Sequence, residues 1–380
     1  MEKYNCSIPQ FTEVVIIGGG PAGAATALTL GAKGFPSLVL EAASVANTKI
    51  GEILTPNMTP LLRKMGLEKL INTCAHLPCY GNRFVWGNSQ PVDKLFITQT
   101  NSNGWHLNRT DFEQKLSQIV IDQGSKWLWN CKFIEAYYNN TEWEVWLKYQ
   151  GKKQLIKASF LVDATGRTAK FARYIGIKRK YYDRLAGLAC YFSLEEIGHI
   201  PHFTNIEAVS NGWWYAALLS DNRLVTVFMT DADLFDKSMQ QIEGYWQKLQ
   251  ETQIIKALFP RYSLPTSYEG ITVKPAQTSC LMSPVGEGWL AVGDAAFAYD
   301  PISSYGIGSA LGSGYYAGNA IADYLRGCKE AQLAYRMVTE RAFFQYLHML
   351  RYQYLQEERW LESPFWRRRH QIDFALTHFG

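Results

Sequence analysis

Six consecutive residues near the start of the chain hold its most specific chemistry: Gly18, Gly19, Gly20, Pro21, Ala22 and Gly23. They follow the apolar run Val14, Val15, Ile16, Ile17 and precede the small-residue run Ala24, Ala25, Thr26, Ala27. That is the order of a strand, a tight turn and a helix start. Gly18, Gly20 and Gly23 fill the three glycine positions of a dinucleotide-binding turn. The first permits the turn, the second lets backbone approach a pyrophosphate, and the third lets helix and strand pack closely. The helix N-terminus offers free N–H groups and partial positive charge to that anion. A second short strand ends in Glu41 and Ala42, and an acid there suits ribose hydroxyls and disfavours a 2′-phosphate.

A second constellation lies late in the chain. The strand-like Trp289, Leu290, Ala291, Val292 runs into Gly293 and Asp294, then into Asp300, Pro301, Ile302 and the helix-starting Gly306, Ile307 and Gly308. Free N–H groups at that helix start would stabilise a negatively charged ring. Other chemistries find no support. There is neither a Gly-x-Ser-x-Gly elbow nor a His-Glu-x-x-His pair, so no hydrolytic nucleophile or zinc-protease centre is expected. Cys74 and Cys79 flank His76, but no second pair follows at zinc-site spacing. No metal is expected, and no residue is assigned as catalytic.

The elements that must position these residues follow from periodicity. A strand–helix–strand unit spans residues 14–41. Thr59 is placed to cap a helix through Leu70. Residues 82–100 read as strands, 111–123 as an amphipathic helix with Phe112, Leu116 and Val120 on one face, and 141–149 as an alternating strand. A buried strand, 160–162, leads to Asp163, Ala164, Thr165, Gly166 and Arg167. From 184 to 230 several short strands are expected, with Asn211-Gly212 and Asp221-Asn222 as hairpin turns. A helix over 233–251 and extended residues 271–281 come next. From Gln332 onward the pattern is helical, ending at Arg367, Arg368 and Arg369, which form a basic patch suited to helix packing or to docking a protein.

The composition fits a large soluble enzyme. The chain has 380 residues, 47% hydrophobic and 19% charged, and its net charge of +4 gives no bulk preference for nucleic acid. The N-terminus lacks an apolar signal core, and no apolar stretch reaches membrane-spanning length. Seven scattered cysteines argue against a disulfide framework, so a cytoplasmic location is expected.

Taken together, the glycine turn, the segment from Asp163 to Arg167 and the segment from Gly293 to Gly308 resemble the flavoprotein monooxygenase superfamily with the para-hydroxybenzoate hydroxylase fold, which includes the flavin-dependent halogenases. The resemblance implies an α/β protein that binds FAD. Its Rossmann-like FAD-binding domain would be discontinuous over residues 1–80, 105–183 and 282–331. A mainly β substrate domain would take 81–104 and 184–281, and a helical segment 332–380. The resemblance assigns Gly18, Gly20, Pro21, Ala22 and Gly23 to the pyrophosphate, Glu41 to the adenosine ribose, and Arg109 to the phosphates or ribityl chain. Asp294 would hold a ribityl hydroxyl, Pro301 would sit near the reactive edge of the flavin, and Gly306, Ile307 and Gly308 would face N1 and O2. Ala42, Gly51, Glu52, Gly166 and Gly293 complete the expected cofactor set.

Two segments bear on the branch. The run Lys49, Ile50, Gly51, Glu52, Ile53, Leu54, Thr55, Pro56 resembles the Gly-Glu-x-x-x-Pro loop of halogenases. The lysine those enzymes place downstream is absent from residues 80–87, and residues 212–219 lack the Trp-x-Trp-x-Ile-Pro segment. Lys94 reads as an exposed strand position. The whole set is most similar to the LodB/GoxB/QhpG type of flavoprotein that matures tryptophylquinone oxidases. That likeness implies hydroxylation of a tryptophan in a precursor oxidase protein on the way to cysteine tryptophylquinone. NADH or NADPH would reduce the flavin transiently, and dioxygen would add at C4a to give a hydroperoxide that attacks the ring. The partners expected are the precursor and dioxygen, with neither nucleic acid nor membrane. Two alternatives stay open: a monooxygenase or halogenase acting on a small aromatic molecule, and a flavin-carrying assembly factor for the precursor. Trp86, Trp213, Trp214 and Tyr215 either line the substrate pocket or form the core of the β layer.

Overall fold

A computed structural model describes residues 8–46, 49–71, 75–100, 102–198, 200–259 and 262–371. The opening apolar run is the strand Phe11–Ile17, whose last four residues are buried. It pairs in parallel with Leu38–Leu40 on one side and with the long strand Lys152–Asp163 on the other. Lys126–Leu128 and Trp289–Ala291 extend the parallel set at the two ends. Parallel strands buried on both faces read as continuous apolar runs, which is why this part of the fold is legible as sequence.

The small-residue runs have a packing cause. The helix Pro21–Ala32 lies against the helix Gly306–Leu325. A side chain at Gly314 would overlap the Ala22 carbonyl, and one at Gly318 would overlap Thr29. The two backbones approach closely only because alanine and glycine line the seam.

A seven-stranded sheet forms the second layer, in the order Thr272–Pro275, Leu185–Ser193, Arg223–Asp231, Gly212–Leu218, Phe203–Val209, Gly81–Val85, Val92–Leu95. Its strands are longer than expected, up to nine residues. The hairpin turn also sits one residue earlier than read: Gly212 already pairs with Val209, leaving Ser210 and Asn211 in the turn. Gly212 is fixed instead by the neighbouring strand, since a side chain there would overlap the Met229 carbonyl.

Three element expectations, two of helices and one of a strand, are corrected. Thr59 lies inside the first turn and caps nothing, and the helix breaks into Thr59–Lys64 and Glu68–Ile71 around Gly66, which has φ +70°. Residues 97–100 form a helical turn rather than a strand. The helix expected over 233–251 shortens to Ile242–Gln250 behind a 3-10 turn that Asp236 caps. The chain ends in a long helix, Ala331–Leu355, and a short one, Pro364–Gln371. The expected basic patch is largely consumed. Arg369 is buried against Asp231 at 2.7 Å, and Arg368 reaches Asp231 and Asp233 at 2.8 Å. No described helix is long and apolar enough to cross a membrane.

Candidate cofactor and active site

The glycines of the first turn divide into two kinds. Gly18 has φ +110°, and a side chain there would overlap Ala164, while one at Gly23 would overlap the Gly18 carbonyl. Both are dictated by the protein's own backbone. Gly20 is different, with an ordinary φ of −71° and open space where its side chain would lie. Gly306 likewise opens onto empty space, and so does Gly166. Neither Gly20 nor Gly306 is required by packing or by a positive φ, and each stands at the uncapped start of a helix. Both helix starts have the free N–H groups and the room that an anionic group would need.

The polar residues around this cradle are pre-positioned. Glu41 accepts from the N–H groups of Gly19 and Ala43, both at 2.8 Å. It therefore stands beside the glycine turn with lone pairs to spare. Arg109 is buried at the start of the helix Arg109–Asp122, which Asn108 caps by accepting from Asp111 N–H at 3.1 Å. Its guanidinium donates to the Gly51 carbonyl at 2.6 Å and pairs with Glu113, which also holds Lys49. The Arg109 Nε is buried without a partner, an orphan donor that fits a phosphate or ribityl oxygen.

Asp294 follows Gly293, whose φ is +56°. Its carboxylate lies 3.3 Å from Arg167 Nε and is partly open to solvent. Burial pushes its pKa up, opposed by Arg167, Arg179 and Arg109. Arg167 also donates to the carbonyls of Gln277 and Tyr299 at 2.5 and 2.6 Å. Asp163, the first residue of the Asp-Ala-Thr-Gly-Arg segment, is internal. It accepts from Thr165 and from the Ala172 N–H, and so shapes the loop that presents Gly166.

Glu52 reaches the seven-stranded sheet. It is only 2% exposed, and it accepts from the hydroxyls of Tyr191 and Tyr215, each at 3.2 Å. Burial raises its pKa against the pull of Arg109. Glu52 and Arg109 also line a cleft with Lys49, Leu219 and Arg223. Trp213 and Trp214 are both fully buried. Trp214 packs on the far face with Phe228 and Tyr245. On the opposite face, Trp213 donates to the Tyr354 hydroxyl at 3.2 Å and Tyr215 donates to Glu52.

The Pro301 turn is itself held by residues that sequence reasoning missed. Asp300 accepts from the Ile302 N–H at 2.9 Å and from the Tyr354 hydroxyl at 2.8 Å, and its own N–H donates to Tyr346 at 2.7 Å. The available signal was two tyrosines, rather than phenylalanines, on the inward face of the last long helix. Cys79 is a buried thiol, and Cys74 lies outside the described residues. No metal-ligand cluster occurs among the described residues.

Two layers, one with parallel strands feeding a glycine turn and the other a mostly antiparallel seven-stranded sheet, define an FAD-dependent oxidoreductase of the para-hydroxybenzoate hydroxylase-like fold. The chain belongs to the FAD binding domain family, whose sequence profile matches residues 11–346. It is 30% identical over 373 residues to the putative FAD-dependent oxidoreductase LodB of Marinomonas mediterranea, covering 96% of this chain and 98% of that protein. Among solved structures it is similar to the myxobacterial chondrochloren halogenase CndH, with a TM-score of 0.86 at 21% identity over 97% of this chain and 87% of that one. It is also similar to the peptidyl tryptophan dihydroxylase QhpG, described as essential for tryptophylquinone cofactor biogenesis, with a TM-score of 0.78 at 24% identity over 97% and 80%.

Proposed function

We propose that this oxidoreductase is a monooxygenase that hydroxylates a tryptophan within a precursor oxidase polypeptide, a step toward a tryptophylquinone cofactor. The observation that carries the reading is the likeness to LodB along nearly the whole chain, together with a fold neighbour described as acting on peptidyl tryptophan. The halogenase reading has less support from this chain's own residues. Residues 80–87 contain Arg83 but no lysine, and Arg83 is spent on Asp93 at 2.7 Å. Lys94 lies on an exposed edge strand opposite Asn82.

When bound, the flavin supplies reductive activation of dioxygen, with NADH or NADPH as the transient electron donor. The chain's own part is to bind, orient and exclude water. Gly20, Arg109 and Asp294 hold the cofactor's polar length. The uncapped helix start at Gly306 stabilises negative charge on the ring. Trp213, Tyr215 and Ala217 lie on one face of a strand, an aromatic wall suited to an indole.

The test is an anaerobic titration of the yellow protein with NADH and NADPH. The reduced protein is then exposed to air with the unmodified precursor of a lysine ε-oxidase or a glycine oxidase. The expected result is bleaching of the flavin, followed by a mass gain of one or two oxygen atoms on a tryptophan of the precursor. Halogen incorporation in the presence of halide, or turnover of free indoles with the precursor untouched, would replace this reading by the small-molecule one. A flavin that dithionite cannot reduce would point to an assembly factor.

A further inference from the structure

Asp300 is fully buried: its carboxylate accepts from the Ile302 N–H and the Tyr354 hydroxyl, its N–H donates to Tyr346, and its carbonyl accepts from Ser303. The Trp213 Nε1–H can only donate, and it does so to the Tyr354 oxygen at 3.2 Å. The Tyr354 hydroxyl in turn donates to Asp300 Oδ2 at 2.8 Å. The Tyr346 oxygen accepts from the Asp300 N–H and shares a hydrogen bond with Thr278 Oγ1 at 3.4 Å. Two donors thus face the ionised form of Asp300, and neither of its oxygens is offered an acceptor.

The surroundings are aromatic. Tyr346 packs against Tyr299 and Phe343, and Tyr354 against Phe365 and Trp366. Phenylalanine would fill both tyrosine positions, and burying two hydroxyls costs free energy unless they are bonded. Here both hydroxyls are spent on one turn, the turn that carries Pro301.

We propose that Tyr354 and Tyr346 are positioning residues for the flavin edge, gripping the Asp300–Pro301 turn from behind by its carboxylate and its N–H, with Trp213 tying that grip to the second sheet. The proposal rests on the reading that the reactive edge of the flavin lies at Pro301. Asp183, Arg369, Tyr346 and Tyr354 are the titratable or charged groups around Asp300. Burial, with Asp183, raises its pKa to about 7, and the Ile302 N–H, Tyr354 and Arg369 oppose the rise.

The test compares FAD-loaded wild type, Asp300→Asn, Tyr354→Phe and Tyr346→Phe between pH 5.5 and 9. Two readouts are followed, the visible absorption and circular dichroism of the flavin and the thermal stability of each protein. Wild type is expected to show a transition near neutrality in both, and Asp300→Asn to abolish it. Tyr354→Phe removes a donor to the charged form, so its midpoint should rise by about one to two pH units. Tyr346→Phe loses a bond of similar strength that does not touch the carboxylate, and its midpoint should stay in place. Equal displacement by both tyrosine variants, or by neither, would reduce the tyrosines to packing and overturn the proposal. A transition present in stability but absent from the flavin bands would overturn it differently, by moving the flavin edge away from Pro301.

Discussion

At the scale of single residues, the glycines separate fold from function. Gly18 and Gly23 are fixed by backbone geometry, so substitution there should damage the apoprotein. Gly20 faces open space with an ordinary backbone conformation. Gly20→Ala should therefore leave the melting temperature of the apoprotein unchanged or slightly raised while weakening FAD binding at least tenfold, measured by flavin fluorescence quenching. Asp294 gives a second prediction. If Asp294 holds a ribityl hydroxyl as proposed, Asp294→Ala removes that partner and leaves Arg167 with the Gln277 and Tyr299 carbonyls alone. The variant should purify with substoichiometric flavin, read from the ratio of 450 to 280 nm absorbance. A fully yellow Asp294→Ala protein would remove that carboxylate from the cofactor set. The strand, glycine turn and helix around Gly18, Gly20 and Gly23 were legible because they form one short segment whose spacing carries its meaning. The Tyr354–Asp300 bond was not, because it joins residues 54 positions apart and depends on how a helix docks.

At the scale of elements, two connections carry testable weight. His106 sits on the strand Gly104–His106, fully buried, bonded to the Leu218 carbonyl and to Thr204 Oγ1 at 3.0 Å each. The carbonyl can only accept, so Nδ1 holds the proton, the ring is neutral, and the Thr204 hydroxyl donates to Nε2. Burial lowers the pKa of His106 to about 4, below the ordinary 6.5. The unfolded chain therefore binds the proton more readily. Stability from this group is fully present above pH 6.5 and is lost as pH falls toward 4, by about 3 kcal/mol over that window. His106→Asn, which keeps a donor toward the carbonyl, should flatten the fall of melting temperature between those pH values. The second connection is the terminal helix Pro364–Gln371. Trp366 Nε1 donates to the Val209 carbonyl at 2.8 Å, and Arg369 neutralises the buried Asp231. Deleting residues 364–380 strips a buried carboxylate of its cation, a change that typically costs 3–5 kcal/mol. Loss of cooperative unfolding in urea should follow, and a failed pull-down by this truncation would report stability before docking. Helix lengths were the least legible elements. Gly66 and the 3-10 turn at Lys237–Gln240 interrupt patterns whose apolar periodicity runs straight through them.

At the scale of the whole molecule, one strand of the second sheet holds both loops that border the cofactor cradle. In the strand Gly212–Leu218, Trp213 reaches the Pro301 turn through Tyr354, and two residues later Tyr215 reaches Glu52 in the Gly51 loop. Filling the cradle should therefore quiet the sheet as well as the glycine turn. Adding FAD to the apoprotein at 100 times its Kd should stabilise it by about 2.7 kcal/mol, and hydrogen exchange should slow at the amides of residues 212–218 along with those of 18–24. Slowing confined to residues 18–24 would mean the loops move independently of the sheet. The layered architecture was readable from the alternation of parallel-type and hairpin-type segments. The long C-terminal helix was readable as a helix but not as the back wall of the Pro301 turn, since its sequence shows an aromatic face and not what that face touches.

The tie between the Pro301 turn and the final helices has a consequence for biosynthesis. The glycine turn leaves the ribosome more than three hundred residues before Tyr346, Tyr354 and Trp366, which back the opposite wall. Translation separates the two events by some tens of seconds, during which a nascent chain displays half a cradle and can hold no flavin firmly. Cofactor capture is then a report that Tyr346, Tyr354 and Trp366 have arrived and docked, and a chain released before them should stay colourless however well its glycine turn folds.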